Sequence, residues 1–334
     1  MIAAACVVAV AIGPRSWVAT AVAAGLALLA AAVTGGDSVG EATRATAPTA
    51  VFLLVAVGAS TVAVALGVSR GAARRLVTAA RGSGRRLFAL VCVVTAVLTA
   101  LVSLDGAVVL TAPVVVDAHR RFGAPLRPLL LAVVGVANTS SLSVPQGNPT
   151  NLVVIERLGL PLGHAAARTV VPGIAATLLC ALAVGWFERR ALATPLSARG
   201  DTTPGQPLLR GLLGVARISV QILALLVVLL PLVGHTEVAG SGLLPLLGVT
   251  VSVSALAALA NNLPASTIVA AALSPGPAAY AALIGLSVGA LATPQGSVAT
   301  LIAGDLAGER AHSRLLLPVA LGAALVATVV LWLT

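Results

Sequence analysis

Apolar runs long enough to cross a lipid bilayer recur along most of this chain. They include Ser16 to Val33, Thr49 to Val68, Leu87 to Leu104, Thr169 to Phe187, Leu212 to Val233, Leu243 to Ala260 and Leu315 to Leu333. Most hold about 17–22 residues, against the ~20 that a helix needs to span the hydrocarbon. Backbone polar groups in that layer must be satisfied within the segment, so the runs predict helices. A composition of 59% hydrophobic and 9% charged residues, with mean hydropathy +1.07, lies well outside the soluble range. The expected fold class is an all-α polytopic membrane protein with roughly 9–11 membrane segments, multi-pass in the cell membrane.

Charge then sets orientation. The net charge of +10 comes from 20 basic residues, all arginine. In a soluble protein this excess would suggest nucleic acid; here it reads as loop arginines that set topology, and no nucleic-acid partner is expected. The lysine-free composition reflects coding bias and carries no functional meaning. Cys6, Cys92 and Cys180 lie singly inside apolar runs and read as packing residues, not as a disulfide or metal set. Trp17, Trp186 and Trp332 are the remnant of an interfacial aromatic belt. Met1 to Ile12 lacks a charged leader and reads as a short first helix. No phosphate-binding loop of the P-loop kind occurs, so the chain itself does not use ATP and no cofactor is expected.

Taken in order, Gly35 to Ala47 reads as a polar loop with Asp37, Glu41 and Arg44, and Arg70 to Arg86 as the most basic loop. A second basic loop holds Arg120, Arg121 and Arg127. Both loops want the cytoplasmic side, yet a single crossing separates them. The apolar arm from Ala107 to Val116 is too short to span. A re-entrant hairpin with its tip near Asp105 satisfies both constraints. Asn261-Asn262-Leu263-Pro264 followed by the short run Ala265 to Leu273 suggests a second hairpin, opening to the opposite face. With this assignment only Arg44, Arg157 and Arg168 leave the cytoplasmic set. Residues 1–48 then form peripheral helices and 49–190 a first repeat. Residues 191–211, with Thr202-Thr203-Pro204-Gly205-Gln206-Pro207, form a linker, and 212–334 a second repeat.

Two of the spans are broken. Leu129 to Leu160 is interrupted by Pro145-Gln146-Gly147-Asn148-Pro149-Thr150-Asn151, which cannot continue a helix and offers several polar side chains. Irregular backbone at membrane depth is tolerated only where it is buried in protein or lines a cavity. Pro294-Gln295-Gly296-Ser297-Val298-Ala299-Thr300 aligns with it without gaps and interrupts Ala278 to Gly304. Two copies of hairpin plus broken helix, entering from opposite faces, match the inverted-repeat plan of secondary transporters. Asp105 is the one acidic residue placed well inside the membrane, where a carboxylate is costly and therefore a functional candidate. It suits a proton carrier; the bland alternative is a helix cap.

Leu104-Asp105-Gly106 through Pro113, Gly147-Asn148-Pro149-Thr150-Asn151, Asn261-Asn262-Leu263-Pro264 and Gly296-Ser297 through Leu301 resemble the ion transporter superfamily. They are most like the arsenical pump membrane proteins and their anion and dicarboxylate permease relatives. The resemblance covers roughly residues 50 to 330. It implies that two hairpins and two unwound helices enclose a substrate and a coupling ion, H+ or Na+. Carried over residue by residue, the first half of the site is Asp105, Gly106, Gly147, Asn148, Thr150 and Asn151. The second half is Asn261, Asn262, Gly296, Ser297 and Thr300. Leu104 stands where arsenical pumps usually carry Asn and sodium-coupled carriers a Ser-Asn-Thr tip.

The resulting expectation is a non-enzymatic secondary transporter of a small anion or metalloid, with proton-coupled arsenite or antimonite efflux first. A sodium- or proton-coupled di- or tricarboxylate permease is the alternative, and an intramembrane aspartyl protease using Asp105 and Asp305 a remote one. The lipid bilayer is the one obligatory partner; a homodimer and a separate ATPase subunit stay open. Asp305 is expected to act at a helix end or as a second proton site, Glu156 and Arg157 to pair or face the outer vestibule, and His119, His164, His235 and His312 to have surface roles. Asn138-Thr139-Ser140-Ser141 either lines the site or binds neighbouring helices.

Overall fold

The computed structural model describes residues 1–144, 147–198, 207–234 and 241–334. Pro145 and Gln146 of the first break, residues 199–206 of the linker including Asp201, and His235 lie outside the described residues. Fifteen α-helices make up the described chain, and no strand is among them.

The N-terminal part is α1 (Ile2–Ile12), α2 (Trp17–Thr34) and α3 (Asp37–Ala65). Asp37, Glu41 and Arg44, expected in a loop, belong to the first turns of α3. A glycine pair with left-handed backbone, Gly35 and Gly36, turns the chain directly from α2 into it. The basic stretch after α3 is likewise helical: α4 (Val68–Ala79) is amphipathic and packs on α6 (Leu104–Phe122) through Ser69 and Ala73. Ser69 donates to Asp117 over 2.6 Å. Charged residues marked both stretches as loops, yet a helix end at the membrane surface carries charges on its solvated face.

α5 (Gly84–Leu101) precedes α6, and the two pack together across a turn at Val102-Ser103. The second arm is longer than expected, at 19 residues. Pro113 sits inside it without ending it, and Asp117 to Arg121 form its last turns. α7 (Leu126–Ser140) and α8 (Pro149–Arg157) flank the first break, and α9 (Leu162–Phe187) follows. α10 (Pro207–Leu229), α11 (Leu243–Ala260) and α12 (Asn262–Ala272) come next. α13 (Pro277–Gly289) and α14 (Val298–Ala307) flank the second break, and α15 (Leu316–Leu333) ends the fold.

Among the described residues, seven helices are long and apolar enough to span a membrane: α2, α3, α5, α9, α10, α11 and α15. This is an all-α, multi-pass membrane protein. Their outward faces show Leu, Val and Trp (Leu28, Val93, Leu182 and Leu321 among them), as a lipid-facing surface requires. α7, α13 and α14 are buried along almost their whole length and form the centre. Small residues permit that density: a Cβ at Gly285 would lie 2.8 Å from the Thr250 carbonyl on α11. The three cysteines are free thiols.

Candidate functional site

Four helices begin at polar residues in the protein interior: α6 after Ser103, α8 after Asn148, α12 after Asn261 and α14 after Ser297. All four preceding residues are buried. The first N–H groups of a helix have no partner within it and carry the positive end of its dipole. At three of the starts a side chain meets one of them. Ser103 Oγ accepts from Gly106 N at 3.2 Å, Asn148 Oδ1 from Thr150 N at 3.0 Å, and Asn261 Oδ1 from Leu263 N at 3.2 Å. Ser297 makes no such bond, and its Oγ is buried without a partner.

The two helix-pair turns share a positive φ with extended ψ but differ in the size of φ. Ser103 has φ 151° and ψ 170°, Asn261 φ 73° and ψ 149°. Positive φ with extended ψ is costly for a residue with a side chain, on the order of 1–3 kcal/mol, and persists where surrounding contacts enforce it. At Asn261 those contacts are visible. Its Nδ2 donates to the Gln295 carbonyl at 2.7 Å, and Asn262 N donates to the Gly296 carbonyl at 2.8 Å. The Gln295 amide at 3.1 Å and the Thr293 hydroxyl both donate to the Ala258 carbonyl, which α11 leaves free at its end. The second turn is therefore tied to the second break. Gly296 is required there, since a Cβ would fall against the Ala290 carbonyl oxygen.

Around the first break, Thr150 Oγ1 donates to Asn148 Oδ1 at 2.7 Å, and Asn148 Nδ2 donates to Ser141 Oγ at 3.3 Å. Asn151 Nδ2 donates to the Ser141 carbonyl at 3.4 Å, while its Oδ1 accepts from Ser287 of α13 at 3.2 Å. The Asn138–Ser141 stretch does two things. Thr139 and Asn138 Nδ2 bond back along α7, and Ser141 braces the break. Asn138 Oδ1 and Ser140 Oγ are buried and unpartnered.

Packing crosses between the two sets. α8 packs on α12, so the helix after the first break meets the short arm of the second pair; α6 packs on α14, reciprocally. Every residue expected at the site that carries a polar side chain is buried: Asp105, Asn148, Thr150, Asn151, Asn261, Asn262, Ser297 and Thr300. Gly106 and Gly147 sit at the same helix starts, where a Cβ on Gly106 would meet Val102 at 2.6 Å. Asp105 does not cap α6, because Ser103 does. Its Oδ1 is buried without a hydrogen-bond partner, as are Ser297 Oγ, Thr300 Oγ1 and Gln295 Oε1. Unpaired buried polar atoms are costly, so their gathering near these helix starts makes the region a candidate site.

A second charged centre lies at the other end of α14, and the sequence reading missed most of it. Asp305, 5% exposed, accepts from Arg217 of α10 at 2.6 Å and from Arg15 at 3.1 Å. Arg15 also reaches the Gly304 carbonyl, and Gln221 donates to Thr20 at 2.8 Å and to the Pro14 carbonyl. A Cβ on Gly214 would strike the Asp305 carboxylate, so that glycine makes room for the pair. Asp305 is thus a buried ion-pair partner and not a plain helix end. The signal was present: Arg217 and Gln221 are one turn apart in an otherwise apolar run. Other polar residues are structural. Arg157 pairs with Glu41 at 2.9 Å and not with Glu156. His119 and His312 bond the Ala124 and Leu291 carbonyls and are half-buried, not surface residues, while His164 is exposed, as expected, and meets Tyr280 edge-on. No group of three or more metal-ligating side chains occurs among the described residues.

The citrate transporter family (CitMHS) matches residues 7–274. The rice (Oryza sativa subsp. japonica) silicon efflux transporter LSI3 is 34% identical over 127 residues. That match covers 36% of this chain and only 26% of the rice protein.

Proposed function

Because the chain belongs to the citrate transporter family, we propose that it exports a small oxyacid against protons, with arsenite and antimonite as cargo. Membership makes it a secondary anion transporter of the membrane and not an enzyme. The observation that carries the finer reading is Asp105. It is a carboxyl group in the first turn of α6, buried, uncapped and with one oxygen unpartnered, among otherwise neutral polar groups. Asn and Thr side chains with helix N-termini suit a small hydroxylated or anionic solute. Among the described residues, the one buried arginine, Arg217, is already neutralised by Asp305, so no unpaired buried arginine stands at the four helix starts. That balance favours a compact, weakly charged oxyacid over a tricarboxylate. The rice relative's role in silicon efflux points the same way.

In this reading Asp105 takes up a proton on one side and releases it on the other while cargo occupies the opposed helix starts. The two turn-and-break units form inverted repeats that alternate access. Positive φ at both Ser103 and Asn261 and the reciprocal packing α6 on α14, α8 on α12 support that plan. A second reading, proton- or sodium-coupled carboxylate transport, is favoured by a basic cavity described below. Expression in an arsenite-sensitive strain tests the cargo: resistance is expected, and unchanged sensitivity overturns it. Proteoliposomes test the coupling. Asp105→Asn is expected to abolish flux driven by a pH gradient, and gradient-driven flux that survives in this variant sinks the role of Asp105.

A further inference from the structure

A cavity of about 850 Å³ opens beside the Gly13–Ser16 turn and the 310–314 loop and reaches Pro294 and Thr300 at the second break. Arg15, Arg310 and Arg314 line it, and no carboxylate is among its lining residues. Arg310 and Arg314 make no ion pair among the described residues. His312 adds no charge: its ring bonds the Leu291 carbonyl, and burial holds it below the usual histidine range. At the inner end, Thr300 Oγ1 is buried and unpartnered. The cavity's loop joins the arginine-rich face, since Arg127 donates to Ser313 at 3.1 Å and pairs with Glu188.

We propose that this cavity is a separate anion-binding vestibule, in which Arg310, Arg314 and Arg15 collect a small carboxylate or oxyanion before it passes Thr300. The proposal rests on the anion-transport reading of the chain and not on which anion is carried. A cleft lined by one sign of charge focuses its field and raises the local concentration of counter-ions by about 10–1,000-fold. Arg310 and Arg314 are exposed and supply the capture; Arg15, shared with Asp305, marks the inner end. A phospholipid headgroup presents the same chemistry, so the test separates the two sources.

The experiment uses the full chain with Ser313→Cys in vesicles of zwitterionic lipid, with the unmodified protein as background. Thiol-reactive reagents of opposite charge report the local potential without requiring transport. The anionic reagent is expected to react about tenfold faster than the cationic one, and millimolar citrate is expected to slow it. Arg310→Gln with Arg314→Gln is expected to remove both effects. Equal rates for the two reagents, or citrate protection that survives the double variant, overturns the proposal. Citrate protection that vanishes on adding anionic phospholipid assigns the cavity to lipid and also overturns it. Charge selectivity that persists while no anion is transported would refute the transport reading and leave the vestibule standing.

Discussion

Neutralising Asp305 removes the one carboxylate that, among the described residues, pairs with the buried Arg217 guanidinium. Arg217 is 6% exposed and has one other contact of note, the Arg15 carbonyl at 3.3 Å. Asp305→Asn therefore strands a buried positive charge, and breaking a buried pair from one side costs about 3–5 kcal/mol. The reverse change is milder, because Asp305 keeps Arg15. That second pair is weak, since the Arg15 side chain is 40% exposed and exposed ion pairs are worth about 0–1 kcal/mol. Arg217→Gln is accordingly expected to cost about 1–3 kcal/mol, and the double variant, with no buried charge left, to lie within about 2 kcal/mol of the parent. The two single losses thus exceed the double loss. Unfolding of the purified protein in mixed micelles by dodecyl sulfate, followed by circular dichroism, gives the three free energies. Additivity, or an Asp305→Asn loss under about 1 kcal/mol, refutes the assignment of this pair as a buried latch.

Three further outcomes follow from the geometry. Gly296→Ala places a methyl group against the Ala290 carbonyl and is expected to cost about 1–3 kcal/mol and most transport, whereas Gly25→Ala, with open space around it, is expected to change neither; both are read by thermal unfolding and vesicle flux. Ser103→Ala removes the cap of α6 and is expected to cost about 1 kcal/mol with proton coupling retained, the opposite pattern to Asp105→Asn, and a pH-gradient assay on both variants checks the division of labour. Asn261→Leu loses the bond to Gln295 and keeps a strained backbone, so it is expected to be less stable than Asn261→Gly, which relieves the strain; equal unfolding temperatures for the two contradict that.

Much of the fold was legible because the bilayer allows so few solutions. Runs such as Leu212 to Val233 can only be helices, and the two Pro-Gln-Gly segments could not continue one. The legible part of the site was its list of buried polar residues, since a polar group in an apolar run needs a reason. Less legible were the ends of elements. Asp37 to Ala47 and Arg70 to Arg75 read as loops, because hydropathy averages over a helix turn and does not see that charges occupy one face. The 19-residue length of α6 was hidden for the same reason, with Asp117 and Arg121 closing the apolar stretch before the helix closes. The Asp305 centre was hidden differently. Its partners lie in the α1–α2 turn and in α10, far apart in sequence, and only tertiary packing brings their charges together.

The crossed packing of α6 on α14 and α8 on α12 also constrains biosynthesis. Membrane helices are inserted as the ribosome delivers them, N-terminal first. α6 and α8 thus enter the bilayer long before the segments that cover them exist. Until α12 and α14 arrive, the starts of α6 and α8 expose Asp105, Asn148 and Asn151 to whatever neighbours are at hand. The first half of this protein is a translation intermediate whose polar groups await partners encoded near the other end of the message. Truncated chains ending before α12 are for that reason expected to be cleared by membrane proteases.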